Sequence, residues 1–158
     1  MKKNQVFISY KSEEYKDAKR VKDYLEARGI ECWLAPDSIA GGKAHSGEIT
    51  KAIKSSRFFV LMLSEKSQKS KDVLRELTLA DECKDCIILP YIMDNLDLTD
   101  EMRYYLSIFQ HYKAYEDVEK ALEALANDIK KELPVDKKDL PEKIKKKKPQ
   151  KKRSQNSL

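Results

Sequence analysis

Phe58-Phe59-Val60-Leu61-Met62-Leu63 is apolar at every position, set between Arg57 and Ser64. A strand with one solvated face alternates apolar and polar residues. One with no polar side is buried on both faces, as a central strand of a parallel sheet must be. Upstream, Gln5–Ser9 reads as a first strand and Glu31–Leu34 as a second. Between them Ala18, Val21 and Leu25 recur at helical spacing, with Ser12 placed to cap that helix and Gly29 to end it. A helix over about 46–55, with Ile49, Ala52 and Ile53 on one face, leads into the apolar run. Downstream lies a helix over about 70–82 carrying Val73, Leu77 and Ala80. A fourth strand follows at Cys86–Ile92, with Pro90 marking irregularity near its end. A loop with a short helical piece covers about 94–107, a weak fifth strand Ile108–Lys113, and a last amphipathic helix about 117–133.

Five β-α units with crossovers of this length define an α/β domain. The expected architecture is a doubly wound five-stranded parallel sheet in the order 2-1-3-4-5, with helices on both faces. The domain should occupy residues 1–133. Residues 134–158 hold ten Lys/Arg against three Asp/Glu and almost nothing apolar, so they are expected to form a disordered, Lys-rich tail. The formal net charge of +5 therefore belongs to the tail, and the domain proper is close to neutral. That excludes a domain which is itself a basic nucleic-acid platform. The tail suits contact with nucleic acid or anionic lipid, its alternative being a solubilising end.

An apolar run of six residues is too short to span a membrane. The N-terminal segment lacks a signal-peptide core, and three cysteines are too few for a disulfide scaffold, so a cytoplasmic setting is expected. There is no GxGxxG, P-loop, HExxH or GxSxG, and His45 and His111 are far apart. No metal site or bound cofactor is expected. Cys83-Lys84-Asp85-Cys86 is a CxxC that runs from a helix end into a buried strand, without the exposed helix N-terminus that activates a redox pair. Its cysteines read as structural.

In such a sheet ligands bind at the carboxyl ends of the strands, where the strand order reverses. That crevice lies between strands one and three. Ser9-Tyr10-Lys11-Ser12 and Leu63-Ser64 end those strands, and the Gly41-Gly42-Lys43 loop follows strand two. A phosphoacceptor site would need acidic residues at those strand ends, where this chain carries Ser-Tyr-Lys and Leu-Ser.

Phe7-Ile8-Ser9-Tyr10, Cys32-Trp33-Leu34-Ala35-Pro36, the Ile39–Ile49 loop, Phe59–Ser64 and Ser70-Lys71-Asp72-Val73-Leu74-Arg75-Glu76-Leu77 together resemble a TIR domain over roughly residues 4–130. The chain is most similar to the compact microbial members. The resemblance implies a flavodoxin-like fold, in agreement with the strand pattern, and either of two functions. One is cleavage of NAD+, the substrate rather than a cofactor, at the nicotinamide–ribose bond. It gives nicotinamide with ADP-ribose or a cyclic isomer, in antiphage defence or immune signalling. The alternative is a non-enzymatic TIR–TIR interaction module, an adaptor or an inhibitor of host TIR signalling. The enzymatic members carry a catalytic glutamate in a pattern like S-K-W-V-x-x-E, which falls here on Glu76. Substrate-binding roles follow by position for Ser9, Tyr10, Lys11, Gly42, Lys43, His45, Ser64 and Asp72. Asp72 departs from the family's Trp, and its charge, i to i+4 from Glu76, should raise the pKa of one of the two. Trp33, Phe58 and Phe59 read as core. Self-association and contact with other TIR or effector proteins are implied too, the trigger being expected to come from outside a chain without a sensor domain.

Overall fold

The structure, a computed structural model, describes residues 4–35 and 46–133. The strands among them are β1 (Asn4–Ser9), β2 (Cys32–Trp33), β3 (Ser56–Leu63), β4 (Ile87–Ile92) and β5 (Tyr112–Lys113). The helices are α1 (Tyr15–Glu26), α2 (Ser46–Lys54), α3 (Lys71–Glu82), α4 (Asp100–Leu106) and α5 (Val118–Glu132). The strands form one sheet in the order β2-β1-β3-β4-β5, all pairs parallel. This is the flavodoxin-like arrangement expected.

The apolar run of β3 is buried on both sides because its alternate residues feed two separate cores. Phe58, Val60 and Met62 join Val6 and Ile8 of β1 beneath α1 and α5, which contribute Val21, Leu25, Leu122, Leu125 and Ile129. Phe59, Leu61 and Leu63 join Phe7 of β1 beneath α2, α3 and α4, which contribute Ile53, Val73, Leu77, Met102 and Leu106. Phe7 stacks between Trp33 and Phe59, at centroid distances of 4.9 and 5.5 Å. Trp33, Phe58 and Phe59 are thus buried, as expected.

Four local expectations differ. Ser12 caps no helix: it opens a 3-10 turn (Ser12–Glu14), and its hydroxyl lies 3.2 Å from Glu13 Oε1. Glu14 occupies the N-cap of α1, and its carboxylate is instead drawn to the Ser64 hydroxyl. The second strand shrinks to two residues, and the fifth to Tyr112–Lys113, leaving Ile108 85% exposed. Edge strands pair on one side only, so residue type alone does not fix their length. Pro90 makes no break, because β4 runs through it and pairing with β5 begins only at Tyr91. Gly29 does end the first helical segment, at φ 81°. The tail and the loop residues Gly42, Lys43 and His45 lie outside the described residues.

Candidate active site

Ser9, the last residue of β1, is fully buried and in register with Leu61 of β3. The chain leaving β3 is held by paired hydroxyls. The Ser64 amide donates to Ser67 Oγ (2.8 Å), the Ser67 amide donates to Ser64 Oγ (3.0 Å), and Ser67 Oγ donates to the Met62 carbonyl (2.9 Å). Gln68 ties this turn to the loop after β4, donating to the Asp97 carbonyl and accepting from the Thr99 amide. Ser70 then caps α3, accepting from the Val73 amide at 3.3 Å. With Val73, Leu77 and Ala80 turned into the core, Glu76 stands at the edge of the buried stripe.

From there the Glu76 carboxylate reaches back over the end of β1. Ser9 Oγ donates to its Oε1 at 2.7 Å. Burial pushes Glu76 up to about 7, the Ser9 hydrogen bond pulls it down, and the charge of Asp72 adds to the rise. Repulsion from Asp72 therefore acts in the expected direction but is secondary to desolvation. The Asp72 side chain is 83% exposed and paired with Arg75 at 3.3 Å, which explains its small influence.

The Glu76 carboxylate borders a cleft of about 490 Å³ at the carboxyl end of β1. Its floor and walls include Phe7, Ile8, Trp33 and Ala35 on the sheet side and Ser46, Ile49 and Thr50 from α2. Tyr10, Lys11 and Ser12 border it, as do Asp72, Arg75, Glu76 and Leu79 from α3. The Tyr10 hydroxyl donates to the Ala35 carbonyl, which bridges the ends of β1 and β2, and its ring lies 6.1 Å from that of Tyr15. Lys11 pairs with Glu13 at 3.2 Å. Five of the sequence-derived residues thus converge here: Tyr10, Lys11, Asp72 and Glu76 on the cleft, with Ser9 bonded beneath Glu76. Ser64 is not on the cleft lining. Its hydroxyl donates to Glu14 and its backbone braces the turn, so it positions α3 from below.

Arg75 and Leu79 were missed by the sequence reading, although the signal was present: 72, 75, 76 and 79 are one face of a helix. The same spacing unites Ser46, Ile49 and Thr50. Among the described residues no group of three or more His, Cys, Asp or Glu side chains is placed to hold a metal ion, and no helix is long and apolar enough to cross a membrane. The arrangement offers one shielded carboxylate of near-neutral pKa beside two cations, Lys11 and Arg75, and an aromatic floor.

Fold and cleft together define a doubly wound domain with a shielded carboxylate, Glu76, on a cleft at the carboxyl end of its sheet. Residues 6–126 match the family described as TIR domain, and the chain belongs to that family. Solved structures agree at the level of fold. A metazoan TIR-STING receptor from C. gigas aligns with a TM-score of 0.64 and 20% identity over 79% of this chain. This chain spans only 40% of that receptor's length. The TIR domain of the Toll-related receptor TRR-2 from Hydra magnipapillata gives 0.64 and 18% over 79% of this chain and 97% of its own. The RPS4 and RRS1 TIR domain heterodimer gives 0.60 and 15% over 82% and 97%. No curated protein matches the sequence.

Proposed function

We propose that this TIR domain cleaves NAD+ between nicotinamide and ribose, with Glu76 as the catalytic carboxylate. The observation that carries the reading is the Glu76–Ser9 hydrogen bond, which holds one desolvated carboxylate at the wall of the cleft. Most glycosidases need a second carboxyl group to protonate the leaving oxygen. Nicotinamide is different. It is bound as a cationic pyridinium and departs neutral, taking the electron pair of the C–N bond, so no general acid is required. What remains is an oxocarbenium on the ribose, which the Glu76 carboxylate stabilises while accepting a hydrogen bond from a ribose hydroxyl. Water or the adenine ring of the same molecule then attacks, giving ADP-ribose or a cyclic isomer and releasing a proton.

Lys11 and Arg75 flank the cleft as cations for the diphosphate, and Phe7 and Trp33 give it an apolar floor. Gly42, Lys43 and His45 are assigned to the rim on the family pattern alone. The domain boundary at residue 133, the cytoplasmic setting, the role in antiphage defence or immune signalling and self-association belong to the same reading. So does the tail as an accessory contact for nucleic acid or anionic lipid.

The test is nicotinamide release from concentrated protein, wild type beside Glu76→Gln. Release by the wild type alone is expected, and equal release by both would remove Glu76 from the mechanism. A second reading, a TIR–TIR interaction module, draws on Tyr104 and Ile108, large apolar side chains 81% and 85% exposed on and just after α4. It predicts no release from either protein.

A further inference from the structure

We propose that Cys83 and Cys86 form a reversible dithiol–disulfide site at the end of the helix that carries Glu76. Three observations point to it. The Cys86 amide donates to the Cys83 carbonyl at 3.0 Å, closing a four-residue turn between α3 and β4. A turn so closed holds its outer Cα atoms within about 7 Å, the separation a disulfide spans without backbone movement. Both side chains pack against the same core, the one beneath α2, α3 and α4, so both leave the turn on one side. Neither is sealed: both cysteines are half-buried, whereas Cys32 is buried under α1, with its thiol pushed far up by desolvation. Solvent-borne oxidants therefore reach the pair and not the third cysteine.

The sequence argues against a fast redox pair, since no helix N-terminus stands by to acidify either thiol. That sets a slow exchange rate, and it withholds from the dithiol the stabilisation that makes activated pairs strong oxidants. The oxidant is a disulfide, of a small molecule or of another protein. The thiolate of one cysteine attacks it, breaking its S–S bond and expelling one thiolate, which takes up a proton. The second cysteine then attacks the mixed disulfide and expels the other half. Two S–H bonds are lost and one S–S bond forms. The two electrons and two protons leave with the oxidant as two thiols. The Cys83 amide, donating to the Ala80 carbonyl, ends α3. The new bond thus ties the last turn of α3 to the entry of β4, seven residues beyond Glu76. The site stands whether or not Glu76 cleaves NAD+.

The test uses the full chain equilibrated in glutathione buffers from fully reduced to fully oxidised, with thiols trapped by alkylation and intact mass measured. Lys84 lies between the two cysteines, so tryptic cleavage separates them into peptides that travel together only through a disulfide. A single two-electron transition, reversible on adding reductant, with those two peptides linked and Cys32 unalkylated in the native protein, is the expected result. Cys86→Ser should arrest at one glutathione adduct on Cys83, and circular dichroism reports whether that variant folds. Glutathione adducts on both cysteines of the wild type, bonds to Cys32, disulfide-linked dimers or no oxidation at all would each overturn the proposal, even if Cys86→Ser fails to fold.

Discussion

Replacing Ser9 by alanine removes the hydrogen bond that favours the ionised form of Glu76. A hydrogen bond to a charged group contributes about 1.5–3 kcal/mol, so its loss should lift Glu76 by about one to two pH units from its value near 7. At pH 7 the ionised fraction then falls from about one half to between a tenth and a hundredth, and nicotinamide release slows by roughly 5- to 50-fold. The loss should be recovered by raising the pH to about 9, because the carboxylate itself is still present. The assay is initial-rate nicotinamide release from pH 5 to 9.5, wild type and Ser9→Ala side by side, at NAD+ well below KM, where the rate follows kcat/KM and reports the ionisation of the free protein. The wild type should rise through an apparent pKa near 7 and the variant through a higher one. Superimposable profiles would show that Ser9 does not govern the ionisation. A uniform loss at every pH would show that the hydroxyl matters for architecture instead, and either result refutes the reasoning.

The same ionisation should appear in stability. Glu76 ionises near 4.5 when unfolded and near 7 when folded, so its contribution is complete below about 4.5 and is lost as pH rises through 7, by about 3 kcal/mol. Denaturant unfolding of Glu76→Gln should lack that dependence between pH 5 and 8. Asp72→Asn should move the acid limb of the rate profile downward by less than about half a unit and only at low salt, since Asp72 is largely exposed. A large, salt-independent shift would mean that Asp72 lies closer to the reacting carboxylate than the cleft geometry allows. Phe59→Ala should cost about 3–5 kcal/mol by chemical denaturation, because its ring is fully buried and stacked on Phe7. A cost under 1 kcal/mol would contradict the packing beneath α2 and α3.

Patterns of one element were readable in the chain. The unbroken apolarity of Phe58–Leu63 fixed β3 as the central strand, and helical spacing fixed the inner faces of α1, α3 and α5. The edges were not readable. β2 and β5 contract to two residues each because an edge strand's extent depends on its single neighbour. Ser12 looked like a cap, yet the side chain at the N-cap of α1 is Glu14, engaged across the sheet with Ser64. At the site, family pattern and topology together named Glu76, Tyr10, Lys11 and Asp72. Arg75 is visible only as a helix neighbour of Glu76, and the place of Ser64 at the end of β3 does not reveal that it braces the turn beneath the cleft.

By itself the sequence determined the order of elements, their hydrophobic faces and the parallel sense of the strands, because periodicity and crossover length are local properties of the chain. Only the tertiary structure decided the state of the carboxylate. Glu76 and Ser9 are 67 residues apart and meet because β1 and β3 are neighbours in the sheet. Their 2.7 Å contact and the burial around it set an ionisation near neutrality, and burial is a property of the packed chain as a whole.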